Sequence, residues 1–218
     1  MCYHAENPIQ KETIPMPTPR HDEAIAHALT MLRAQLPKQH IYHSIDHTTE
    51  DVLPAALRLA DMAGISQAET DLLAVAAAYH DVGWIWRVDG HELASARVAA
   101  QVLPDFGFSN QEIDAVMGMI MATRLPQSPR NLAEEILADA DLDVLGRDDF
   151  YDRSQDLLTE MKARNVFREQ EAWLLEQIAF LNGHTYFTQA AHILRDAGKV
   201  RNLLVLQERL ASLRAKNT

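Results

Sequence analysis

Six side chains have types and spacings suited to holding a cation: His43, His47, His80, Asp81, Asp139 and Asp141. His43 and His47 are four apart in the run YHSIDHT, and on a helix that spacing sets both rings on one face. His80 and Asp81 are adjacent in AAAYHDVGW. Neighbouring helical residues diverge by roughly 100° around the axis, which suits two cis ligands of an octahedral ion. Asp139 and Asp141 stand in ILADADLDVLG, embedded in apolar residues. A carboxylate carried into a helical core is costly unless a cation or hydrogen bonds compensate it. Taken singly, each residue has a plainer reading: His43 as a packed or helix-capping histidine, Asp139 as the acceptor of a nearby amide, Asp143 as a solvent-facing acid. Taken together, on separate helices, they favour a metal centre.

The elements that must position these residues read as helices. Helix one runs from about His21 to Leu36 and is followed by Pro37. Helix two starts near Asp46 or Thr48 and stops at Gly64. Helix three opens at Ser66, with Glu69 completing a capping box, and carries His80 on its apolar face. Trp84 to Gly90 reads as a loop, and helix four spans about His91 to Leu103. Ser109 and Glu112 form a second capping box that opens helix five. Helix six runs from Leu132 to Leu145 and ends at Gly146; further helices fall at about 148–164, 168–182 and between Phe187 and Ala215. Alternation of strand period is not sustained anywhere, so the expected class is all-α. Residues 1–20, with Pro8, Pro15, Pro17 and Pro19, read as an N-terminal tail, and 21–218 as a single domain whose metal-site core covers about 40–160.

Composition narrows the setting. Of 218 residues, 47 % are hydrophobic and only 6 % aromatic, with eight glycines and nine prolines, which suits a globular helical chain better than a turn-rich β-sandwich. The formal charge of −11 repels nucleic-acid backbones and anionic lipid, so an anionic ligand needs a local positive centre. The single cysteine, Cys2, permits no internal disulfide. The longest apolar run, Leu72 to Tyr79, is too short to span a bilayer, and residues 1–20 hold no signal-peptide core. The expectation is a cytoplasmic protein with no nucleic-acid or membrane partner, compatible with a homo-oligomer.

The order His, His-Asp, Asp on successive helices resembles the HD superfamily of metal-dependent phosphohydrolases. The local runs YHSIDHT, AYHDVGW, HELASA, MIMATR and ILADADLDVLG, with FYDRSQ after them, are similar to the subgroup of predicted HD phosphohydrolases. The resemblance implies an HD-type helical bundle with additional C-terminal helices. It makes His47 the first metal ligand, His80 and Asp81 the doublet, and Asp141 the closing ligand, because the triplet Ala140-Asp141-Leu142 looks like the surroundings of the last ligand in related phosphodiesterases. Asp139 then becomes a supporting or packing residue. His43 sits where cyclic-nucleotide phosphodiesterases place a proton-donating histidine. Members with a second metal carry further histidines between the doublet and the last aspartate; here His91 alone stands there, with Thr123 in MIMATR, so one ion is implied.

Two imidazoles and two carboxylates suit manganese, iron, cobalt, nickel or zinc, and magnesium less well. The implied activity is hydrolysis of a phosphomonoester or phosphodiester, on a small nucleotide or related phosphate, by water bound at the ion. Asp81 or Glu92 would take up the proton, and His43 would protonate the leaving oxygen. Arg124, Arg87 and Lys199 are weaker candidates for holding phosphate, and Trp84 and Trp86 for lining a pocket. Asp46 could orient His43 or His47, or cap helix two. His184 reads as part of a packed turn. The alternative function is a catalytically silent HD-fold module for ligand binding or regulation; di-iron oxygenation would need more ligands than these.

Overall fold

The computed structural model describes residues 19–216. The expectations placed on Cys2 and the tail prolines up to Pro17 lie outside the described residues. Arg20 is already docked: its backbone N–H donates to the Phe106 carbonyl at 3.0 Å, and its guanidinium reaches the Asp105 carbonyl.

The described residues form an all-α fold without strands. In chain order the helices are α1 (His21–Gln35), α2 (Leu53–Ala63), α3 (Gln67–Tyr79), α4 (His91–Val102), α5 (Asn110–Ala122), α6 (Leu132–Asp141), α7 (Phe150–Ala163), α8 (Gln170–Gly183) and α9 (Gln189–Lys216). No helix among them is long and apolar enough to cross a membrane. Both capping boxes form: Ser66 with Glu69 opens α3 and Ser109 with Glu112 opens α5. Gly64 terminates α2 with φ of 68°, a left-handed conformation that costs glycine no Cβ clash.

α3 lies at the centre, packed by α1, α2, α5 and α6. Its last seven residues, Leu73 to Tyr79, are all buried, four of them alanines, so neighbouring helices approach closely on every side. This explains the apolar run read from the sequence: it is a helix with no wet face. Its C-terminal end delivers His80 and Asp81 into the interior. A 3₁₀ turn (Val82–Ile85) follows, so part of the expected loop is ordered helix.

Two expected helices are modified. The helix leading into α2 opens as a π-helical turn (His47–Val52), in which the Leu53 N–H reaches the Thr48 carbonyl five residues back. Pro54 stands at the second position of α2. A proline there has no N–H for the carbonyl four residues earlier, and its ring collides with that carbonyl in a regular α-helix; a widened turn relieves both. α6 ends at Asp141 rather than Leu145 and gives way to a 3₁₀ turn (Asp143–Gly146). The Leu142 carbonyl accepts from Leu145 N–H and from the Tyr186 hydroxyl. That turn carries α9: a Cβ on Gly198 would fall 1.8 Å from the Gly146 carbonyl oxygen, so only glycine permits the crossing.

Candidate metal centre

His47, His80 and Asp141 each present one ligand atom, and these atoms lie within 4.8 Å of one another. The three come from the π-helical turn, the end of α3 and the end of α6. The Asp141 Oδ1 atom is 3.3 Å from His47 Nε2 and 3.5 Å from His80 Nε2. Asp81 stands beside the triad, its Oδ2 at 3.4 Å from His80 Nε2 and 3.9 Å from His47 Nε2. Its other oxygen faces His91 Nε2 at 3.5 Å.

The imidazoles are aimed by their far nitrogens. His80 Nδ1–H donates to the Ala77 carbonyl at 2.7 Å, which leaves the Nε2 lone pair directed at the centre. His47 Nδ1 faces Asp51 Oδ2 at 3.5 Å, one helical turn on. Asp51 is itself held by Arg147 and by Arg153, the latter at 3.3 Å. Burial alone would raise its carboxyl, but the bonds from His47 and Arg147 pull its pKa down to about 2.

His80 Nε2 and Asp81 Oδ2 are buried and have no hydrogen-bond partner. Burial works against a charged imidazole at His80, yet the Asp81 charge and the Asp141 carboxylate hold its pKa well above the ordinary histidine range. Against the same burial, the histidines hold Asp81 and Asp141 below the ordinary carboxylate range. The buried Asp81 and the partly buried Asp141 face two imidazoles, a donor set that could hold a cation. Two nitrogen donors and a carboxylate, with a second carboxylate adjoining, fit a divalent transition metal or zinc.

His43 lies outside any helix, in the bent segment before Ile45. It therefore does not share a helix face with His47, contrary to the spacing argument. The cause is Glu160 of α7, fully buried, whose carboxylate accepts the backbone N–H groups of Tyr42 and His43 and holds the chain in the bend. The same carboxylate meets His43 Nδ1 at 2.7 Å, which leaves Nε2 as the other ring nitrogen. Burial lowers the pKa of His43, and the bond to Glu160 opposes that. Burial would raise Glu160, but its bond with His43 takes it down to about 2. Trp84 stacks on the His43 ring at 3.9 Å between centroids.

The centre adjoins a cavity of about 710 Å³. His43, His47, Asp81, His91, Glu92 and Asp141 line its polar side. Glu92 is buried in the first turn of α4, with Oε1 3.7 Å from His91 Nε2. Gly83 fixes that placement: a Cβ there would come within 2.0 Å of the His91 carbonyl oxygen. Thr123 also lines the cavity, its hydroxyl spent on the Ile120 carbonyl.

Several sequence expectations are relocated. Asp139 is not at the centre; it accepts from the N–H groups of Phe187 and Thr188 and from the Thr188 hydroxyl, pinning the start of α9. Asp143 is buried, not solvent-facing, and pairs with Arg195 and Arg58. Asp46 is exposed and caps nothing. Lys199 binds His184, away from the cavity; Arg87 donates to the Asp89 carbonyl; Trp86 is 55 % exposed, whereas Trp84 and Arg124 do line the cavity. His184 packs against Tyr186, as a turn residue should. Asp51 was findable as the acid four residues after His47. Glu160, 117 residues from His43, left no such signal.

No family model and no curated protein matches the chain. Among solved structures, a Lactobacillus plantarum protein determined as a Northeast Structural Genomics target is similar in fold, with a TM-score of 0.60 over 89 % of this chain and 97 % of that one, at 17 % identity. At that identity the likeness concerns the fold alone.

Proposed function

We propose that this chain is a metal-dependent phosphohydrolase of the HD type, with His47, His80, Asp81 and Asp141 holding one divalent ion. The observation that carries the reading is the convergence of His47, His80 and Asp141 within 4.8 Å, beside the unpartnered Asp81 Oδ2, on the wall of a cavity that also presents His43. A bound divalent ion supplies Lewis-acid polarisation of a phosphoryl oxygen and a more acidic water.

The protein's own groups do the rest. Glu160 fixes the His43 ring through Nδ1 and its charge supports the protonated ring, in which Nε2–H presents a proton to the leaving oxygen. Glu92 and Asp81, on the same wall, accept the proton that water gives up on attacking phosphorus. The bond from phosphorus to the leaving oxygen breaks as the bond to water oxygen forms. Asp51, clamped by Arg147 and Arg153, keeps His47 turned toward Asp141.

Metal analysis of the purified protein followed by a phosphate-release screen with manganese, iron, cobalt, nickel and zinc tests the proposal. About one ion per chain and metal-dependent release of phosphate are expected. A stoichiometric ion without turnover of any ester would instead support the silent ligand-binding module, and absence of both would sink the metal centre.

A further inference from the structure

The cavity has two unlike walls. Beside the polar one, α7, α8 and the Asp143–Gly146 turn contribute Leu145, Phe150, Leu157, Met161, Trp173 and Phe180. The polar side chains on that wall are nearly all committed. The Ser154 hydroxyl accepts from Trp173 Nε1 at 3.1 Å, Arg153 is divided between Asp51 and Asp156, and Glu176 is bound by Arg168. Gln177 is the remaining neutral polar group there.

Charge around the cavity points the same way. Asp89 and Glu92 add negative potential to that of the centre, whereas the Glu176 charge is met by Arg168. Among the described residues lining the cavity, Arg124 is the only cation without a carboxylate partner. An ion and one arginine can balance a single phosphate dianion. A triphosphate would bring more negative charge than they neutralise into an acidic cavity. A nucleoside would bury its sugar hydroxyls and base edge against leucine, phenylalanine and methionine with Gln177 alone to answer them, a costly desolvation.

Resting on the phosphohydrolase reading and narrowing it, we infer that the substrate is a phosphomonoester of an apolar alcohol, its organic group seated on the α7–α8 wall and its phosphate at the centre. Hydrolysis then releases the free alcohol, protonated at oxygen by His43, and inorganic phosphate. The volume of about 710 Å³ lies within the range of pockets that enclose a mid-sized organic molecule.

The test is a homologous series. kcat/KM is measured for ethyl, butyl, hexyl and octyl phosphate and for adenosine monophosphate, using the full chain with its metal. Binding of the matching alkylphosphonates, which cannot be hydrolysed, is followed by the fluorescence of Trp84 and Trp173. Both kcat/KM and phosphonate affinity should climb with length, by up to about fourfold per methylene, with octyl phosphate above the nucleotide. Leu157→Asn and Phe180→Asn should flatten the climb. Turnover that is indifferent to chain length, or that favours the nucleotide, overturns this substrate class and leaves the hydrolase standing. A length-dependent phosphonate affinity without turnover of any ester keeps the ligand class and removes the hydrolase. Neither turnover nor a length-dependent affinity removes both.

Discussion

Three aspartates spaced two apart, Asp139, Asp141 and Asp143, leave the end of α6 and enter three different surroundings. Asp143 meets Arg195 at 2.7 Å and Arg58 at 3.2 Å, so its charge is balanced within the protein. Asp139 is satisfied by two backbone N–H groups and a hydroxyl. Asp141 faces only imidazoles, beside a second carboxylate with an unpartnered oxygen. Asp139 and Asp143 are buried and Asp141 partly so. What separates a lock from a ligand site is whether the fold brings its own positive charge or donors to the acid, or leaves the place for a guest.

That contrast can be broken by substitution. The largest effect belongs to the centre: His80→Ala and Asp141→Ala should lose the ion, seen by elemental analysis, and drop phosphate release to background, with helicity by circular dichroism retained. His43→Ala should keep the ion while kcat falls on the order of a hundredfold or more; Glu160→Gln should lower kcat less, because the ring is kept but loses its anionic support. If His43→Ala strips the ion, the division between holding and proton transfer is wrong. Asp143→Ala should do the opposite of both, leaving metal content intact while removing the buried carboxylate that Arg195 and Arg58 share. A cost of about 3 kcal/mol is expected, read as a Tm lowered by roughly 6–12 °C.

The smallest effect is at His184, which has Lys199 beside it where His47 and His80 have carboxylates. Burial first, and then the neighbouring ammonium, hold its pKa down to about 4 from an ordinary 6.5. The unfolded chain therefore takes a proton that the folded chain refuses. The stability this represents is complete above pH 6.5 and is lost as pH falls to about 4. Urea midpoints over that window should fall more for the unaltered protein than for His184→Gln; equal slopes would refute the assignment.

The sequence was legible where the deciding interactions are local. The capping boxes at Ser66 and Ser109 and the stop at Gly64 involve partners within a turn, and each was readable as such. The doublet His80-Asp81 was readable because polar residues ended the most apolar run. His43 was misplaced on a helix because Glu160, far along the chain, fixes the bend it occupies. The orienting role that adjacency suggested for Asp46 belongs to Asp51, whose four-residue spacing from His47 sets the two as neighbours along the chain's turn. The apolar wall was invisible for the same reason as Glu160. Residues of α7 and α8 have ordinary amphipathic spacing, and only the fold decides that part of that face borders a cavity rather than closing over it.

α3 is enclosed along its whole C-terminal half, and the doublet sits directly beyond that enclosed stretch. Its alanines leave no slack for sliding or rotation without disturbing four neighbouring helices at once. The side chains proposed to hold a cation are thus anchored at the end of a fully enclosed helix. Entry of the proposed guest would then fall to the side of α7 and α8, which are joined by the exposed segment around Phe167, 70 % accessible.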